Sequence, residues 1–201
     1  PALRRRSLMA TAGAAALTAG LGVPEIVVAQ DLAPELELGE AQPFSFEQLV
    51  ERAQALAQQP FEARPVPDPE VVEAIDYDAH GRLRFMPNRA PHAAGPGAFP
   101  ITFFHVGQFF PRPVEMFLLH QGEARQVIYR PEDFEMPEDS PAHELSQNTG
   151  FAGFRFQENN GRPDWRTQDW LAFLGASYFR AIGQLGQYGL SARGVAVDVA
   201  A

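Results

Sequence analysis

The chain has 201 residues, 45% of them hydrophobic, with 16 Phe, 18 Pro and 17 Gly, a globular composition long enough for one domain with a substantial core. Its formal net charge is -9, with no basic block in the folded part, which argues against nucleic acid and anionic membrane surfaces as partners. Cys is absent, excluding disulfides and thiol catalysis, and every basic residue is Arg, a trait of base composition rather than of mechanism.

Residues 1–29 read as an export signal. Arg4-Arg5-Arg6-Ser7-Leu8-Met9 is a twin-arginine pattern ahead of the small, moderately apolar run Ala10 to Val23, and Val27-Val28-Ala29 offers a cleavage site with a mature start near Gln30. A membrane anchor fits less well, because Thr11, Gly13, Thr18, Gly20 and Gly22 interrupt a run shorter than the ~20 apolar residues of a span. The expectation is export of a folded protein by the twin-arginine translocase into a bacterial periplasm, with no stable membrane insertion after the signal is removed. Position 1 is Pro, and Gly194 to Ala201 alternates as a strand that stops without a turn signal, so residues 30–201 are expected to be an N-terminal fragment.

After the acidic linker Asp31 to Gln42, Ser45 is an N-cap with Gln48 three residues on, and Phe44 is placed to staple onto Leu49. Phe46, Leu49, Val50, Ala53, Leu56 and Ala57 follow helical spacing and predict one buried face. Asp68-Pro69 reads as an N-cap with Pro at the first helical position of a short helix through Val71, Val72 and Ile75. From there the pattern turns to strands: Arg82 to Phe85, then Phe99 to Phe110 with apolar residues on both faces, which predicts more than one layer. Pro113 to Leu119 and Arg125 to Tyr129 form a hairpin across Gln121-Gly122, and Arg130 to Asn148 reads as a long, solvated polar loop. Gly150 to Phe156 is the next strand, Glu158 to Asp169 a polar turn. With about seven β segments, one good helix and no βαβ alternation, the class is mainly β and the natural architecture an antiparallel sandwich.

The last thirty residues carry the most pronounced pattern. Phe173 to Ala181 and Tyr188 to Asp198 alternate around a glycine-rich turn, with Tyr178 and Arg180 on the face opposite Phe179 and Ala181. Alternation runs through Gly175-Ala176-Ser177, so that tripeptide reads as strand and not as a nucleophile elbow. Rings that lie against apolar sugar or base faces, guanidinium forks for hydroxyls or carboxylates, and small residues that let a ligand near the backbone make a polar-ligand surface. An ordinary strand pair with an outer Arg and a Tyr at the core margin is the competing reading.

Other chemistry finds little support. His80, His92, His105, His120 and His143 show no metal-binding spacing, and no P-loop or dinucleotide fingerprint occurs, so no metal or cofactor is expected. Asp164, Asp169 and Asp198 are the carboxylates nearest the Tyr/Arg region, each most simply a turn or surface residue, and no catalytic residue is assigned.

Three runs carry a resemblance: Gly150-Phe151-Ala152-Gly153-Phe154-Arg155, Phe173-Leu174-Gly175-Ala176-Ser177-Tyr178-Phe179-Arg180-Ala181, and Tyr188-Gly189-Leu190-Ser191-Ala192-Arg193-Gly194. Together with Phe44 to Ala57, Tyr77-Asp78, Arg84-Phe85, Phe103 to Gly107, Pro113-Val114 and Phe134, they closely resemble the glucans biosynthesis G and D proteins of osmoregulated periplasmic glucan synthesis. The resemblance implies a large N-terminal β-sandwich similar to the galactose mutarotase fold, incomplete in this chain, then an immunoglobulin-like domain. It also implies action in the periplasm on β-1,2-glucan backbones, as in inverting endo-β-1,2-glucanases, with the catalytic aspartates beyond residue 201. The twin-arginine signal resembles the D branch. What carries over is a glucan-cleft role for Tyr178, Arg180, Tyr188, Arg193 and Arg155, against which stands a purely structural role in buried salt bridges. A non-catalytic glucan-binding or scaffold protein is the alternative to the hydrolase.

Overall fold

The computed structural model describes residues 35–93, 99–159, 161–175, 178–183, 187 and 189–193. The expected export signal, Tyr188, Asp198 and the terminal alternating run 194–201 lie outside the described residues.

Helix α1 (Phe46–Ala57) starts where its cap predicts: Ser45 is extended and its Oγ accepts from the Gln48 amide at 3.2 Å. Its expected buried face is not buried. Phe46 is 67% exposed and Leu56 58%, because the stripe borders an open groove of about 710 Å³ instead of packing on a sheet. Asp68 stands at the N-cap of α2 (Pro69–Ala74) with Pro69 after it, as expected. Its backbone is left-handed at φ 37°, however, and its side chain makes no capping bond; its Oδ2 accepts from the Ser146 amide at 3.0 Å. A third helix, α3 (Tyr77–Arg82), follows at once, with Asp76 accepting from the Ala79 amide at 2.8 Å. It is too short, and interrupted by Gly81, to show apolar periodicity, so the sequence reading passed over it.

The chain is mainly β, as expected, and every strand pair is antiparallel. Strands β1 (Gln42–Pro43), β4 (Phe117–His120) and β5 (Glu123–Gln126) make one small sheet, the β4–β5 hairpin turning at Gln121 and Gly122 with φ of 47° and 81°. Strands β2 (Arg84–Phe85) and β6 (Phe134–Glu135) pair separately. The main sheet runs in the order β10 (Leu190–Arg193), β9 (Tyr178–Ala181), β8 (Asp169–Leu174), β7 (Phe151–Gln157) and β3 (Ile101–His105).

Strand β3 is covered on both sides, as its sequence requires. Ile101 and Phe103 join Phe85, Tyr129, Phe134 and Phe151 in one core, whereas Val106 and Phe104 pack with Val72, Ile75, Ala79 and Leu83 from the helices. Each fully buried Phe or Ile contributes about 1.5–3 kcal/mol, so these two layers outweigh any polar contact described below. The stretch Arg130 to Asn148 is not a free loop. Short 3-10 turns at Pro131–Asp133 and Pro141–Glu144 order it, and Asp133 is wholly buried between Arg89 and Arg130.

The arm read as one strand from Phe173 to Ala181 is two. Gly175 takes a positive φ of 65°, the chain reverses, and Leu174 pairs with Tyr178 across the β8–β9 hairpin.

Candidate functional site: the Arg/Tyr face of the main sheet

Register places the expected residues. One row across the sheet is Thr102, Arg155, Ala172, Arg180 and Ser191; the next is Phe104, Gly153, Leu174, Tyr178 and Arg193. In an antiparallel sheet such rows share one face, so Arg155, Tyr178 and Arg180 stand together. Arg193 is paired with Tyr178 in the backbone register of β9 and β10. The opposite face bears a ladder of rings, with Phe154 and Phe173 stacked at 5.0 Å and Phe173 and Phe179 at 5.9 Å.

Asp169, read from sequence as a turn or surface residue, organises this face. Its Oδ2 accepts from Arg155 Nη1 at 3.4 Å and from Arg180 Nη2 at 3.1 Å, and its Oδ1 from Gln157 Nε2 at 3.1 Å. Gln157 in turn accepts from Thr102 Oγ1 at 2.9 Å, and Thr102 Oγ1 accepts from Arg155 Nε at 3.1 Å, closing a ring of hydrogen bonds. Arg155 also lies over the Phe104 ring, 4.7 Å from its centroid. Burial pulls the Arg155 pKa down, Asp169 opposes this, and the charges of Arg84 and Arg180 add to the downward pull. The other carboxylate in reach, Asp164, is the exposed turn residue expected; Arg162 beside it holds its carboxyl below the usual range.

Two adjoining cavities open on this face. One of about 520 Å³ is lined by Phe104, Phe110, Ala172, Leu174, Tyr178 and Arg180. The other, about 640 Å³, shares Phe104, Phe110, Leu174 and Arg180 and extends beneath α3 to Tyr77, His80 and Arg84. Its far wall is a turn in which the Gly107 and Phe110 amides exchange hydrogen bonds with each other's carbonyls, at 3.3 and 3.0 Å. A Cβ on Gly107 would sit 3.0 Å from the Ile75 carbonyl oxygen and from His80 Cδ2, so glycine lets the turn seat against the helices. The result is an apolar floor, aromatic edges and guanidinium donors, suited to a ligand with flat apolar faces and many hydroxyls.

Sequence reasoning missed Thr102, Gln157, Phe104, Phe110, Tyr77 and Arg84 as members of the site. A Thr in a strand otherwise apolar on both faces was the one available signal; the others gather through pairings distant in sequence. Among the described residues no group of three or more potential metal ligands comes together, and no helix is long and apolar enough to cross a membrane.

Its antiparallel sheets and few short helices make this a mainly β protein, and the chain belongs to the family described as "Periplasmic glucan biosynthesis protein, MdoG", which matches residues 44–201. Among its relatives, glucans biosynthesis protein D 2 of Ralstonia nicotianae is 51% identical over 98% of this chain and 37% of its own length. Glucans biosynthesis protein D of Xanthomonas oryzae pv. oryzae is 38% identical over 98% of this chain and 36% of its own. That of Stenotrophomonas maltophilia is 42% identical over 80% of this chain and 30% of its own. The chain therefore spans little more than a third of the length of the curated relatives it matches.

Proposed function

We propose that this chain is the N-terminal part of a periplasmic protein of glucan biosynthesis, and that the full-length protein cleaves β-1,2-glucan backbones as an inverting endo-glucanase. The observation that carries the reading is the Arg155–Asp169–Arg180 network beside Tyr178, facing two adjoining cavities with an apolar floor. Names and likeness of the relatives support the glucan; residues 1–29, with Arg4-Arg5-Arg6, support export to the periplasm by the twin-arginine route. Residues 30–201 would then supply part of a sandwich similar to the galactose mutarotase fold. Tyr178 offers a ring to a pyranose face, Arg180 a partly exposed fork to its hydroxyls, and Arg155 and Asp169 hold that fork in place. Tyr188 and Arg193 are assigned the same glucan-binding role, on the resemblance.

Inversion requires an acid and a base about 6.5–9.5 Å apart. Asp169 has both oxygens engaged by Arg155, Arg180 and Gln157, so it orients donors and leaves the proton transfers to carboxyl groups outside the described residues. The same engagement favours a second reading, a non-catalytic glucan-binding or scaffold protein. Reducing-end release by the full-length protein from linear β-1,2-glucan, with linear β-1,3-glucan as control, separates them. Release from the β-1,2 chain alone is expected; binding without release would leave the scaffold.

A further inference from the structure

The cleft has a charge imbalance that neutral sugar does not answer. Its two cavities are lined by Arg84, Arg155 and Arg180, and by no Asp or Glu among the described residues. Asp169 serves both Arg155 and Arg180. Among the described residues Arg84 makes no ion pair: on β2 it pairs in register with Glu135, but the Glu135 carboxylate bonds Arg166 at 3.1 Å. Arg84 is exposed, and its charge bears on Arg155, so a locally positive cleft sits in a chain whose net charge is -9. Such a protein repels anions at long range, and a focused positive pocket is what admits one.

The rim adds rings to the charge. Tyr77, at the start of α3, is 77% exposed, and Phe109, at the tip of the Gly107–Phe110 turn, is 64% exposed, and both border the cavity that Arg84 lines. The turn is fastened to the helix layer by the Gln108 amide donating to the Ile75 carbonyl at 3.0 Å and by Gln108 Nε2 donating to Glu73 at 2.8 Å. Phe109 is thus held outward by fixed backbone. Exposed rings lining the same cavity as a guanidinium without an ion pair make a site for a sugar that carries a negative group.

We propose that this cleft binds an anionic group borne on the glucan, a carboxylate or a phosphate ester, with Arg84 contacting the anion and Tyr77 and Phe109 flanking the adjoining sugar rings. The proposal rests on the glucan reading above and deepens it from glucan to charged glucan. Arg84 contributes the fork, Arg155 and Arg180 the surrounding positive potential, and the rings the sugar-facing surface.

Calorimetric titration of the full-length protein tests it with linear β-1,2-glucan in three forms of matched length: neutral, carboxymethylated and phosphorylated. At least one charged form should bind about tenfold more tightly than the neutral one, and the stronger of the two names the anion. Raising salt to about 0.5 M should shrink that preference, since exposed charges are then screened. Arg84→Gln should abolish the preference, and Arg84→Lys should retain part of it; as Arg84 makes no ion pair among the described residues, both variants should fold. Equal affinity for neutral and charged glucan, no binding of any, or a preference untouched in Arg84→Gln overturns the proposal. Carboxymethylated dextran is the remaining arm. If it binds as well as the charged β-1,2-glucan, lost in Arg84→Gln, while neutral β-1,2-glucan does not bind, the anion site stands and the glucan reading fails.

Discussion

Arg155 and Arg180 lie two strands apart and donate to one oxygen, Asp169 Oδ2, at 3.4 and 3.1 Å. A carboxylate on the strand between them thereby fixes two forks on one face. Arg155 is largely buried, with 17% of its side chain exposed, whereas Arg180 is 53% exposed, so the two depend on Asp169 unequally.

Asp169→Asn should therefore destabilise the protein by about 2–4 kcal/mol, because it strands the buried Arg155 charge. Arg180→Gln should cost under about 1 kcal/mol, since its pair is half in water. Urea denaturation of both variants reads the difference. Equal small losses would mean that Arg155 does not need its partner.

Ligand affinity should show the reverse order of sensitivity. Arg180→Gln and Tyr178→Ala should each weaken β-1,2-glucan binding by about tenfold. The melting temperature of Arg180→Gln should hardly move. Unchanged affinity in both variants would remove this face from the cleft.

The pH dependence follows from His105. It is 1% exposed; Nδ1 donates to the Val106 carbonyl at 2.8 Å, so Nε2 accepts from the Tyr129 hydroxyl at 2.8 Å. Burial foremost, with the His80 charge adding, lowers its pKa from 6.5 to about 4 against the opposing Val106 bond. The unfolded chain takes up this proton first, so the neutral native His105 contributes stability above pH 6.5 that is lost as pH falls toward 4. The loss is roughly 3 kcal/mol. Asp133 works the other way: burial raises its pKa above 3.8 despite Arg89 and Arg130, so it adds stability as pH falls through that raised value. Stability measured from pH 7 to 4 should fall less steeply in His105→Gln than in the wild type; parallel curves would absolve His105.

Gly153→Ala should be among the most damaging single substitutions in the sheet. A Cβ there would come within 2.2 Å of the Phe173 carbonyl oxygen and 2.9 Å of Leu174 Cα, backbone atoms of β8 that cannot turn aside. Separation of β7 from β8 would displace Asp169 from Arg155, so a loss above about 3 kcal/mol is expected. Wild-type stability in this variant would sink the argument.

Much of this was legible where the cause is local. Ser45 announces α1, Gln121-Gly122 announces a hairpin, and the double-faced Phe99 to Phe110 announces two layers. Tyr178 and Arg180 were placed on one face by alternation alone, and Arg155 joined them through the resemblance. What was hidden depends on distance or on parity. Asp133 looked solvated because Arg89 is remote in sequence, and Asp169 looked idle because its partners sit on other strands. The α1 stripe was read correctly as apolar, but a periodicity says nothing of what covers it. The turn at Gly175 left no trace, since Leu174 and Tyr178 are paired an even number of positions apart and the alternation passes through the reversal in step.

That short loop also sets the chemistry of the cleft by its length. Sliding β9 by one residue against β8, as an added or deleted residue would do in a loop of unchanged shape, would turn β9 over. Tyr178 and Arg180 would pass to the aromatic side and Phe179 would enter the cleft. The spacing of Leu174 and Tyr178 thus decides which side of β9 meets the cleft.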